Sequence, residues 1–187
     1  MTATRGGSNR GFSLAELMVV VAIVGILATL AVVGVRSYMI AARANEAKAM
    51  IQAIRAAQEA YKAETGTYLD VSGNLKDYQP RPTPDEHFAS FYNNVTDTKE
   101  QSWRMLNPSV PKEGVRWVYS TVAGPAGGAF PPNADFCTAD PPSFTGASSE
   151  KPWYVIQAIG DTDGDKHYGC MMASSFTGAV YDESSGD

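Results

Sequence analysis

The sequence predicts an α+β protein: one long N-terminal α-helix, its first half transmembrane, packed through its second half on a C-terminal antiparallel β-sheet. Three observations carry this reading. Residues 17–35 form an uncharged apolar run whose one polar member is Thr29. From Arg36 to about Glu64 apolar residues recur every three or four positions, the spacing of one helix face. Beyond residue 114, four segments rich in β-branched and aromatic residues alternate with turn formers.

The run from Leu17 to Val35, extended by Phe12 to Ala15, approaches the ~20 apolar residues that a bilayer core requires. A soluble core helix seldom stays apolar on every side for five turns. A secretory signal peptide shares the basic-then-apolar order, but its apolar core is shorter, roughly 7–15 residues, and ends at a small-residue cleavage site. Here the run continues into Arg36-Ser37-Tyr38 and further helix. Glu16 interrupts the apolar segment near its start. A carboxylate at the centre of a membrane helix costs roughly 2.5–3.5 kcal/mol and is functional by default. At headgroup depth the same carboxylate is tolerated, because the helix dipole favours an anion there.

Arg10-Gly11-Phe12-Ser13-Leu14-Ala15-Glu16-Leu17-Met18 and its apolar continuation to Ala28 resemble the type IV prepilin signature. The resemblance is specific over the leader and the helix and only general beyond. It implies the pilin fold and removal of residues 1–11 by a prepilin peptidase that cuts between Gly11 and Phe12 and methylates the new amine of Phe12. It also implies an assembly role for Glu16, whose carboxylate would meet the amine of a neighbouring subunit. Two charges that are each costly in hydrocarbon would then offset one another, and truncating one would strand the other. The partners so implied are other pilin subunits, the prepilin peptidase/methyltransferase, an inner-membrane assembly platform, and membrane lipid before assembly. The implied location is the inner membrane with a periplasmic head, then an extracellular filament. In one respect the sequence departs from many pilins: Val33, followed by Gly34, stands where they place a proline, so a kink is less expected.

In this reading residues 12–35 are the transmembrane or filament-core half of the helix, 36–65 its amphipathic half, and 66–187 the globular head. Ala47, Met50, Ile51, Ile54, Ala57 and Tyr61 form the apolar stripe, with Arg43, Glu46, Lys48, Arg55, Glu59 and Lys62 around it. Gly66 is a fitting C-terminal cap. At ~1.5 Å per residue a helix from Phe12 to Glu64 would be about 80 Å long. Residues 66–114 are loop-rich and broken by prolines, with a short helix from Thr98 to Leu106 ended by Asn107-Pro108. Strands are expected at Val115–Val122, Trp153–Ile159, His167–Ala173 and Ala179–Tyr181, with Ala123-Gly124-Pro125 breaking the first. Their simplest connection is an antiparallel meander.

The 187 residues carry a net charge of −5, which becomes −7 on loss of Arg5 and Arg10 with the leader. With no Lys/Arg run present, nucleic acid is not expected as a partner. No Walker loop, dinucleotide fingerprint or nucleophile elbow occurs, and no enzymatic activity is expected. Basic residues flank the apolar run on both sides, so the positive-inside rule does not orient it. The prepilin resemblance does, placing the head outside the cytoplasm, where Cys137 and Cys170 suit a disulfide of ~2–4 kcal/mol. Two free buried thiols are the alternative. Asp161-Thr162-Asp163-Gly164-Asp165 resembles the start of a calcium loop but departs from the full EF-hand pattern. Asp161, Asp163 and Asp165 are thus candidate calcium ligands, and a solvated turn is the plain reading. No cofactor is required. The function expected is that of a structural subunit of a type IV pilus, major or minor, serving adhesion or twitching motility. Its rivals are a pseudopilin of a type II secretion system and a membrane-anchored periplasmic binding domain that does not polymerise.

Overall fold

The computed structural model describes residues 11–80, 88–92, 96–129, 150–161 and 166–183. Helix α1 spans Leu14–Thr65, 52 residues, and runs through Val33-Gly34 without interruption. Gly66 ends it as expected: its φ is 84°, and its N–H donates to the Lys62 carbonyl at 2.8 Å. The chain divides into two compact units after Met39. In the first, every described side chain from residue 11 to residue 39 is exposed.

The second unit holds the core. Four strands follow α1 in the chain: β1 (Val118–Gly124), β2 (Trp153–Gly160), β3 (Gly169–Ser174) and β4 (Thr177–Asp182). They form one antiparallel sheet in the order β1-β2-β3-β4, the meander expected from the short connections. Its register aligns Thr121, Ile156, Ala173 and Val180 in one row across all four strands. Ala47, Met50, Ile51 and Ile54 of α1 bury against the face carrying Tyr119, Ile156, Ala158, Met171 and Ala173. Val118, Val122, Val155, Ile159, Cys170 and Met172 point to the other face, where Leu75 and Trp153 join them. All eight residues of β2 are consequently buried.

The first strand is shifted from its expected bounds. Val115 forms only an isolated bridge to Ala89, and the Arg116 N–H donates to the Glu46 carboxylate at 2.9 Å, so neither joins the β1–β2 ladder. At the other end the strand continues through Ala123-Gly124, because the Trp153 ring lies over Gly124 and supplies the contact that glycine lacks. The opposite end of the ladder repeats the device, with Trp117 lying over Gly160. The loop-rich section also contributes to the sheet's edge. Gln79 exchanges both backbone hydrogen bonds with Tyr119, and the Ser72 N–H donates to the Thr121 carbonyl. Helix α2 (Thr98–Leu106) has the expected bounds, capped by the Asp97 side chain and ended by Asn107 at φ 50°.

Gln58 and Arg55 are among the polar side chains of α1 that tie the helix to the sheet. Gln58, fully buried, donates to the Leu69 carbonyl (2.9 Å) and Thr121 Oγ1 (3.3 Å) and accepts the Leu69 N–H (3.0 Å). Arg55 donates to the carbonyls of Thr177, Gly178 and Ala179 at 2.8–2.9 Å, clamping the start of β4.

Two predictions follow from this packing. A Cβ on Gly160 would lie 2.5 Å from Trp117 Cδ2, whereas one on Gly178 meets nothing within 4 Å. Gly160→Ala should therefore cost about 1–3 kcal/mol as overpacking, lowering the urea midpoint, and Gly178→Ala should leave it in place. Tyr154 has its phenol pushed up to about 12 by burial, reinforced by the Glu59 carboxylate. Tyr68 is raised further, again by burial first and then by donating to Glu59. A raised folded value means that the stability these phenols contribute is complete below the unfolded value near 10 and is lost as pH rises through the folded value. Unfolding titrations should thus show constant tyrosine-dependent stability up to about pH 10, then a decline toward pH 12 that is smaller in Tyr154→Phe.

Candidate functional site

The candidate site is the start of α1 together with the residues just before it. Residues 11–13 are non-helical and exposed, and the Phe12 side chain is 86% exposed. The first helical bond runs from the Leu17 N–H to the Ser13 carbonyl at 3.2 Å. Gly11 and Phe12 thus both lie in an exposed, irregular segment.

Ser13 and Glu16 cap the helix reciprocally. The Glu16 N–H donates to Ser13 Oγ (3.2 Å), while Glu16 Oε2 accepts the Ser13 N–H (2.9 Å) and the Ser13 hydroxyl (3.0 Å). Two otherwise orphaned backbone donors are satisfied in this way, and the carboxylate is fixed within the first turn. The sequence reading singled out Glu16 for its charge but missed Ser13, although Ser-x-x-Glu before an apolar run is a legible capping signature. Glu16 Oε1 accepts no hydrogen bond among the described residues and remains open to a cation. Below this cap, α1 contains an 18-residue window of mean hydropathy 2.9, none of it buried, which is the length and composition of a membrane-crossing helix. The hydroxyl of Thr29 donates to the Ile26 carbonyl at 2.7 Å, so the run's one polar side chain is satisfied within the helix.

The remaining candidate residues are not brought together among the described residues. Cys170 is buried on β3 with its Sγ 3.5 Å from Gln157 Nε2, and Cys137 lies outside the described residues. Asp161 is 7% exposed and accepts the Lys166 N–H at 3.0 Å, while Asp163 and Asp165 lie outside the described residues. Asn94 and Val95 of Asn94-Val95-Thr96, a triplet with the spacing of an N-glycosylation acceptor, also lie outside them. Among the described residues no group of three or more His, Cys, Asp or Glu could hold a metal ion.

Comparison with known proteins meets this geometry at the same place. Residues 7–32 match the family model of the prokaryotic N-terminal methylation motif. The chain is 39% identical over 67 residues to the type IV major pilin protein PilA of Myxococcus xanthus, covering 36% of this chain and 30% of that protein. It is 42% identical over 73 residues to the type II secretion system core protein G of Pseudomonas aeruginosa, covering 39% of this chain and 51% of that protein. The matches thus span about a third and about half of these relatives' lengths. In its N-terminal segment the chain is similar to these pilin-like proteins, and one long helix followed by one antiparallel sheet is the arrangement that the resemblance leads one to expect.

Proposed function

We propose that the chain is a structural subunit, not an enzyme, of a type IV pilus. A prepilin peptidase removes residues 1–11 and methylates Phe12. The mature subunit waits in the inner membrane with its head in the periplasm, then polymerises with other pilin subunits on an assembly platform. The observation that carries this reading is the capped Glu16 at the head of an uncharged, membrane-length helix, four residues after Phe12. Such a carboxylate can receive the methylated amine of a neighbour, and the apolar helix supplies the surface for packing on other helices. The filament would serve adhesion or twitching motility. Similarity to a type II secretion core protein supports a second reading, in which the same assembly device builds a secretion pseudopilus.

Mass spectrometry of the mature protein should find methylated Phe12 at its N-terminus; an intact Met1, or a cut near Arg36, would overturn the processing. Glu16→Ala should leave the protein in the membrane and reduce its incorporation into sheared filaments at least about tenfold, consistent with ~3–5 kcal/mol for stranding one partner of a buried pair. Ser13→Ala loses the cap, at about 0.5–2 kcal/mol, but keeps the carboxylate, so it should assemble better than Glu16→Ala. Equal assembly of wild type and Glu16→Ala would refute the charge-pairing role, and a subunit that never enters filaments would be a membrane-anchored binding domain.

We propose, too, that Cys137 and Cys170 pair as a disulfide; the intact mass should then be lighter by two hydrogens than that of the reduced chain. Calcium is the cation that the Asp161, Asp163 and Asp165 carboxylates suit. Calorimetric binding of calcium that disappears in Asp163→Asn would favour the secretion reading, and its absence the pilus.

A further inference from the structure

A cavity of about 270 Å³ opens in the second unit between the C-terminal turn of α1, the segment leading into β2 and the β3–β4 turn. Its polar groups are Lys62, Lys151, Ser175 and Glu150, and its apolar surface includes Tyr68 and Phe176. Nothing in the assembly device described above uses it.

The groups around this cavity are arranged rather than scattered. Lys62 Nζ donates to the Tyr68 hydroxyl at 3.0 Å and stands 4.3 Å from the centroid of the same ring. The Tyr68 hydroxyl in turn donates to Glu59 Oε1 at 2.8 Å, and the ring is braced edge-on by Tyr154 at 4.7 Å. Lys62 is thereby held in place with two of its three N–H groups still to use. Ser175 Oγ accepts the Tyr154 N–H at 3.2 Å, which leaves its own hydrogen to donate. Lys151 is exposed and makes no ion pair or hydrogen bond among the described residues. The cavity thus offers two ammonium groups and a hydroxyl donor, one carboxylate acceptor in Glu150, and the flanks of two aromatic rings.

We propose that this cavity binds a single anionic sugar ring, such as a uronate at the end of an acidic glycan. The two ammonium groups match one carboxylate, Ser175 and Glu150 match ring hydroxyls, and the aromatic surfaces match the apolar C–H face of a pyranose. The volume lies just below the ~300–1,000 Å³ of ordinary small-molecule sites, which suits one ring and not a chain of them. Glu150 disfavours a doubly charged phosphate at the same place, since a like charge beside it is costly.

The test uses the full mature chain in detergent micelles, so it does not depend on polymerisation and can fail or succeed independently of the pilus reading. Saturation-transfer NMR with glucuronate should show saturable binding, at least about tenfold weaker in Lys151→Glu, a change at an exposed position. Glucose should bind at least about tenfold more weakly than glucuronate, and acetate should not displace it at equal concentration. The proposal is overturned by absence of glucuronate binding, by equal binding of glucose, by displacement with acetate, which would reveal a bare anion site, or by affinity that Lys151→Glu leaves unchanged. A peptide ending in a free carboxylate that outcompetes glucuronate would likewise replace the glycan with a protein partner.

Discussion

The apolar surface of α1 between Leu17 and Val35 is the constraint to which the rest of the first unit answers. Leu30 is 65% exposed and Val33 70%, and the large apolar side chains between them and Leu17 are similarly bare. Each such side chain gains about 1.5–3 kcal/mol on leaving water, so a segment of this length requires lipid or other helices around it. In that setting any unsatisfied polar group is expensive, and the segment carries none that lacks a local remedy. The backbone is helical throughout, Thr29 donates to its own helix, and Glu16 is placed in the first turn where Ser13 meets it. The carboxylate is therefore locally satisfied, and its second oxygen accepts no hydrogen bond among the described residues.

Much of this was legible because it is local. The lengths of α1 and α2, the cap at Gly66 and the end at Asn107 follow from periodicity and turn chemistry acting over a few residues. The four strands were also legible in kind and order, but the bounds of β1 were not, since they depend on groups distant in sequence. Glu46 takes the Arg116 N–H from 70 positions away, and Trp153 covers Gly124 from across the ladder. Gln58 illustrates the same limit. It stands between apolar positions as an ordinary polar residue would, and only the approach of Leu69 and Thr121 makes its amide a buried tie. At the functional site the position of Glu16 was readable, and so was the Ser13 cap, had the spacing been read for hydrogen bonding as well as for charge.

The polar flank of the second half of α1 does more than face water. Arg55 holds three carbonyls at the start of β4, Lys48 pairs with Asp182 at 2.9 Å, and Glu46 engages Arg116 through both backbone and side chain. A surface ion pair contributes little by itself, ~0–1 kcal/mol. Bonds to otherwise unpaired carbonyls at a sheet edge matter more, because they satisfy groups that would otherwise offer themselves to another strand. The helix thus binds the sheet through its apolar stripe and protects the β3–β4 end with the residues beside that stripe.

On the proposed function, what would assemble the subunit is separate from what would distinguish it. The assembling elements would be a cap, a charge and an apolar helix, and their chemistry would serve a pilus and a secretion pseudopilus equally well. Near-equal identity to a pilin and to a secretion core protein is what such a shared device produces. Distinction must then come from surfaces that assembly does not need. In the second unit, the cavity around Lys62, Tyr68 and Lys151 is such a surface: its cation is already positioned by Tyr68 and Glu59. Pre-positioning removes part of the ordering cost that binding would otherwise carry. A charged group held in place, beside a second one that has no ion pair among the described residues, suits a ligand site better than a solvated face.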